Sequence, residues 1–160
     1  MTSLTTRAPR STPVDPAPTA PDRSRPVVVA TLEAPLVEEA ARLAVDSAVE
    51  AGQPLLVVNA VESILAPCGL VLGYDYVAPP DVEESLRAPA ALAQTLGVHV
   101  ERFCLRSPRP VDALLEFVVE RGSGLLVVGP ERTRIGRWRY RRASRKIRDG
   151  APCLVWFAVD

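Results

Sequence analysis

The stretch RPVDALLEFVVERGSGLLVVGP, residues 109–130, decides the fold. Its first part, RPVDALLEFVVERG (109–122), reads as a helix with Pro110 in the first turn, where the missing N–H is no loss. LLVVG (125–129) is a continuously apolar run too short for a helix, and it reads as a buried strand. A helix that passes within a few residues into a strand buried on both faces is the repeating step of an α/β protein with a parallel sheet.

The same alternation runs outward in both directions. PVVVATL (26–32) is a first β-branched strand, and LVEEAARLAVDSAVEAG (36–52) is a helix. Leu36, Ala40, Leu43, Ala44 and Ala48 share one side of that helix, Glu38, Glu39, Arg42 and Asp46 the other, and Gly52 ends it. PLLVVNAV (54–61) is a second buried strand, leading into the loop ESILAPCGLVLGYDYVAPP (62–80). Asp81 is placed to cap the helix VEESLRAPAALAQTLG (82–97), which Pro89 is expected to kink or split. VHVERFCL (98–105) alternates imperfectly through Val98, Val100, Phe103 and Leu105, as a third strand. Beyond the fourth strand lies an arginine-rich segment, and APCLVWFAV (151–159) closes the chain as a last apolar strand. The expectation is one α/β domain with helices on both faces of a mostly parallel sheet. Ligands of such sheets sit at the carboxyl ends of the strands, here ATLEAP after the first and VGPERT after the fourth.

Composition bounds the rest. The first 25 residues are Pro, Thr, Ser, Ala and Arg with almost no large apolar side chain, too little to offset their ordering entropy. They read as a disordered tail, 1–25, ahead of a single domain at 26–160. The tail has no apolar core of a signal peptide, and no run approaches the ~18 apolar residues of a membrane span. Cys68, Cys104 and Cys153 are odd in number and contain no CxxC, which suits a cytoplasmic protein with reduced thiols. Each reads as a small core residue. His99, the single histidine, has no partner at metal or triad spacing and reads as structural or surface. GSGLLVVG (122–129) contains GxG ahead of a strand instead of after one, so it is no dinucleotide fingerprint, and no Walker A pattern occurs. No nucleophile has a convincing base, so catalysis is not expected.

Nineteen basic and nineteen acidic residues cancel, but they are segregated. Between Gly129 and Gly150 nine basic residues face two acidic ones, 9 − 2 = +7, so the remainder carries −7. Eighteen of the bases are arginine; that bias reflects a GC-rich genome, whereas the clustering is not explained by it.

Several stretches together resemble the universal stress protein family, and the resemblance covers nearly all of 26–159. They are VVVATLEAP with its following helix, PLLVVNAVES, LGYDYVAPP, RPVDALLEFVVERGSGLLVVGP and RIGRWRYRRASRKIRDGAPCLVWF. The most specific part is LLVVG followed about twenty residues later by APC and an apolar strand. The resemblance implies a five-stranded parallel sheet in the order 3-2-1-4-5. It also implies homodimers paired through the last strand, here Leu154, Val155, Trp156 and Phe157.

Nucleotide binders of this family carry Gly, two residues, Gly, nine residues, Gly and Ser or Thr after the fourth strand, because only glycine lets backbone N–H groups come close to phosphate. Gly129 matches the first glycine. Counting forward puts Arg132 at the second and Arg142 with Ala143 at the closing pair; anchoring on APC puts Arg141 and Arg142 there instead. Binders also hold the adenosine portion with an Asp at the end of the first strand. Here Thr31, Leu32 and Glu33 stand there, with Leu32 at the matching position and Glu33 one along, a shift that turns a strand side chain to the other face. The expectation is therefore a universal stress-type regulatory module that binds no cofactor in the family manner, with ATP on a variant phosphate loop as an alternative.

The arginines raise a second alternative. Arg134, Arg137, Arg141, Arg145 and Arg148 are spaced 3, 4, 4 and 3, one face of a helix, while Ile135, Trp138, Ala143 and Ile147 can turn inward. Like charges so spaced repel, and three compensations are open. The arginines pair with the acidic remainder of the same or a partner chain. They bind an anionic macromolecule such as nucleic acid, with Trp138 and Tyr140 interleaved for base stacking. Or Arg132, Arg141 and Arg142 hold a small anion at the nucleotide position.

Overall fold

The computed structural model describes residues 24–64 and 76–158. The tail expected over 1–25 lies outside them except for Ser24 and Arg25, as do Cys68 and the centre of the loop 62–80. The elements are β1 (Val27–Thr31), α1 (Glu38–Ala51), β2 (Leu55–Glu62), α2 (Pro80–Thr95), β3 (Val100–Ser107), α3 (Pro110–Glu120), β4 (Leu125–Val128), α4 (Arg132–Ile135), α5 (Arg137–Gly150) and β5 (Leu154–Phe157). The five strands form one all-parallel sheet in the order β3-β2-β1-β4-β5, the order expected.

Each central strand is covered twice, which is why it reads as unbroken hydrophobicity. Val27 and Val29 pack with α1 and α2, whereas Val28 and Ala30 pack with α3 and α5. The same alternation explains the imperfect pattern of β3. Val100 packs with the first layer, and Phe103 and Leu105 with the second. Gly52 ends α1 with φ 60°, and Pro110 opens α3, both as the sequence indicates.

Several local expectations are corrected. Pro89 does not split α2, which runs unbroken through it with Pro89 buried on its core side. Asp81 is not the cap, because the helix begins at Pro80 after Pro79; its carboxylate is instead 3.0 Å from Arg134 Nη2. Cys104 is not a core residue: it takes an outward position on the edge strand β3 and is exposed. β5 is no buried strand either. Among the described residues it pairs only with β4, and Leu154 is 72% exposed, while Cys153, Val155 and Phe157 pack on one face and Trp156 on the other. His99 lies just before β3, exposed and 3.4 Å from Glu101, so it is the surface histidine expected. No helix among the described residues is long and apolar enough to cross a membrane.

Candidate functional site

The chain leaves β1 at Thr31 and turns sharply. Thr31 is fully buried, and its Oγ1 donates to Ala34 O at 2.6 Å, so it closes the turn. Glu33 has φ 54°, the left-handed region, and its N–H donates to the buried Asn59 Oδ1 at 3.2 Å. That turn cancels the strand alternation. Leu32 and Glu33 consequently both line one cleft, contrary to the expectation that they face opposite ways.

The cleft holds about 310 Å³ and opens between the ends of β1 and β2, the start of α3 and the side of α5. Charge dominates its walls. Glu62 accepts from Arg139 at 2.8 Å, and Asp112 lies 2.6 Å from Lys146 Nζ. Desolvation raises the Glu33 carboxyl above its ordinary range, against the pull of the Glu62 backbone N–H and the Arg139 guanidinium. Arg142 and Ala143 complete the wall. Asn59, Glu62, Asp112, Arg139 and Lys146 went unnoticed in the sequence. Asn59 alone carried a signal, a polar residue inside the apolar run PLLVVNAV.

The two strand ends singled out for ligands are tied to each other. Val37 N donates to Gly129 O and Glu131 N to Pro35 O, both at 2.8 Å, and Leu36 bridges Pro130. Gly129 N donates to Ala30 O, and Pro130 has no N–H. The first three residues of the would-be phosphate loop thus present no unspent amide. Gly129 itself is required by packing, since a Cβ there would lie 2.1 Å from Ala40 Cβ.

The later loop positions are helical. Arg132 opens α4, and its guanidinium sits 4.9 Å from the Tyr140 ring centroid. Arg141, Arg142 and Ala143 lie beyond the first turn of α5, where amides are spent on the helix ladder. No glycine is needed there, and arginine is tolerated because the side chains of Arg141 and Arg142 leave the helix toward solvent.

The five-arginine face is shorter than expected. Gly136, at φ 83°, separates α4 from α5, so Arg134 leaves the stripe and reaches Asp81 on α2 instead. Arg137, Arg141, Arg145 and Arg148 remain aligned on α5. Arg148 lies over the Phe157 ring at 5.6 Å. Of the residues expected inward, Ile147 is fully buried and Ala143 nearly so, Ile135 is half-buried, and Trp138 is 70% exposed with Arg142 5.6 Å from its centroid. Arg134, Arg139 and Lys146 therefore answer to acids outside the segment, in half-exposed pairs each worth about 0–1 kcal/mol. Arg137, Arg141 and Arg145 have no ion pair among the described residues.

Residues 23–158 match the family model described as the Universal stress protein family. A sequence search of curated proteins finds no match. Among solved structures, a universal stress protein from Archaeoglobus fulgidus is 18% identical over 82% of this chain and 92% of its own, at a TM-score of 0.56. Another structure of the protein from that organism, in complex with dAMP, is 19% identical over 82% and 96%, at 0.54. A family member from Burkholderia pseudomallei is 21% identical over 87% and 98%, also at 0.54. At these identities the likeness is one of fold.

Proposed function

The chain belongs to the universal stress protein family, and from that premise we propose that it acts as a cytoplasmic regulatory stress-response module, not a catalyst, and does not hold ATP as the family's nucleotide binders do. One observation carries this reading. Most of the backbone groups that would cradle phosphate are already committed, by Gly129 N to Ala30 O, by Glu131 N to Pro35 O, and by the ladder of α5 at Arg141 and Arg142. A phosphate there would have to break those bonds, and unmade buried hydrogen bonds cost about 1–3 kcal/mol each. A relative of the same fold was solved with dAMP, so the question is specific to this loop. Purified protein is expected to release no nucleotide on denaturation and to show no thermal shift with Mg-ATP. A ligand at 100 times its dissociation constant adds roughly 2.7 kcal/mol, a shift of several degrees. Co-purified nucleotide, or a shift of that size, would sink the reading.

The module is a homodimer joined along β5. Its outer edge has no partner strand among the described residues, and the exposed Leu154 with Val155, Trp156 and Phe157 gives that edge an apolar character. An unpaired apolar edge is a template for a further strand. Light scattering should report twice the chain mass for the native protein and the mass of one chain for Leu154→Arg. Retention of the dimer mass in that variant would argue against pairing along β5.

A further inference from the structure

We propose that the outer face of α5 is a binding surface for single-stranded nucleic acid, adjoining the cleft, with which it shares Trp138 and Arg142. Arg137, Arg141 and Arg145 recur every four residues, so their stems are about 6 Å apart along the helix axis. Side chains at this spacing are neighbours, and like charges among them repel. Three acids of neighbouring elements are engaged by other bases of the segment. Glu62 holds Arg139, Asp112 holds Lys146, and Asp81 holds Arg134. Asp149, which lines the groove, and Glu116 and Glu120 of α3 make no ion pair with these arginines. A row of guanidinium groups left in this state is matched by a row of phosphates, which each can contact through two N–H groups.

A second, independent observation selects the kind of polyanion. Trp138 stands at the same end of the helix with 70% of its surface exposed, whereas Trp156 packs against the sheet. Trp138, Arg141, Arg142 and Arg145 line one groove of about 870 Å³ against Leu115 of α3. Arg142 lies against the indole at 5.6 Å, an arrangement that fixes the ring. An exposed indole beside a basic track is what a splayed base stacks on, whereas a paired base offers no free face. A polyanion without bases would make no use of it. The acidic side of α1 on a second copy, with Glu38, Glu39, Asp46 and Glu50, could answer the charge but not the indole.

Fluorescence anisotropy of a labelled oligo-dT with the full chain, titrated between about 50 and 200 mM salt, tests this. Three neutralised phosphates give an expected log–log slope near −2 for a single strand. Arg141→Glu with Arg145→Glu should weaken binding at least tenfold and flatten the slope. Arg141→Lys with Arg145→Lys keeps the charge and should keep the slope. Trp138→Ala should weaken oligo-dT roughly tenfold and leave heparin binding unchanged. All three positions are exposed, so the variants should melt with the native protein. Failure to bind oligo-dT, or binding insensitive to the glutamate pair, would overturn the proposal. Equal loss of heparin and oligo-dT in Trp138→Ala, or preference for duplex, would overturn the single-strand assignment. Salt-sensitive self-association that the glutamate pair abolishes without any effect on oligo-dT would assign the arginines to a second copy instead.

Discussion

Gly129→Ala is expected to destabilise the protein by about 3 kcal/mol, the upper end of overpacking costs, and to lower the melting temperature by roughly 10 °C. The added Cβ would lie 2.1 Å from Ala40 Cβ, 3.2 Å from Val37 Cγ2 and 3.4 Å from Ala158 Cβ. It is hemmed in on three sides, and α1 cannot simply retreat. Val37 N is bonded to Gly129 O at 2.8 Å, which pins the start of the helix to the residue being enlarged. Urea unfolding measures the loss. Ala40→Gly removes the nearest obstacle and costs about 1 kcal/mol of helix propensity by itself. Combined with Gly129→Ala it should recover part of the loss, so the two changes should be less than additive. A loss under about 0.5 kcal/mol in the single variant would mean that α1 moves freely, and would remove the packing role assigned to this glycine. That role is independent of any nucleotide, which is how a family phosphate-loop glycine persists here beside arginines.

Ile147→Ala should cost about 2–5 kcal/mol, the range for truncating a fully buried aliphatic side chain. Ile147 is 0% exposed and joins Leu114, Phe117 and Val118 of α3 beneath the sheet. The other buried positions of α5 are Tyr140 and Ala143, each at the margin of burial at 9% exposed. A helix this arginine-rich therefore depends on one deeply seated anchor. Urea unfolding should show the loss in midpoint. Amide exchange should show α5 opening before the strands β1, β2 and β4, which keep their cover from α1 and α2. A midpoint within measurement error of native would contradict this anchoring. Exchange that accelerates uniformly across the sheet would show instead that α5 opens only with the whole domain.

Much of the architecture was legible because it rests on short-range regularities. Runs such as VVVAT, LLVVNAV and LLVV are apolar at every residue only when both faces of a strand are covered. Helix limits at Gly52 and Pro110 followed from backbone conformations that those residues permit. The candidate site was legible only in part. Leu32, Glu33, Arg142 and Ala143 were singled out and do meet in one cleft. Thr31 was singled out and is instead a buried turn residue, because its hydroxyl has a carbonyl of the same turn within reach. The bases and acids that pair across the cleft are distant along the chain, as Glu62 and Arg139 are, and no local pattern marks such partners.

The sequence by itself determined the alternation of strands and helices, the parallel sheet and the presence of a dense arginine segment. Each of these follows from periodicity, burial and composition within about twenty residues. Only the tertiary structure decided how that segment is spent. It showed Gly136 dividing it into two helices, Arg134 turned to α2, three residues pinned by acids from three other elements, and Arg137, Arg141 and Arg145 left facing outward. It also showed the ends of β1 and β4 joined by Val37 N to Gly129 O and Glu131 N to Pro35 O. The reason is that a charge or a backbone amide is committed by whichever partner the fold brings within about 3 Å, and that partner is chosen by the packing of distant elements.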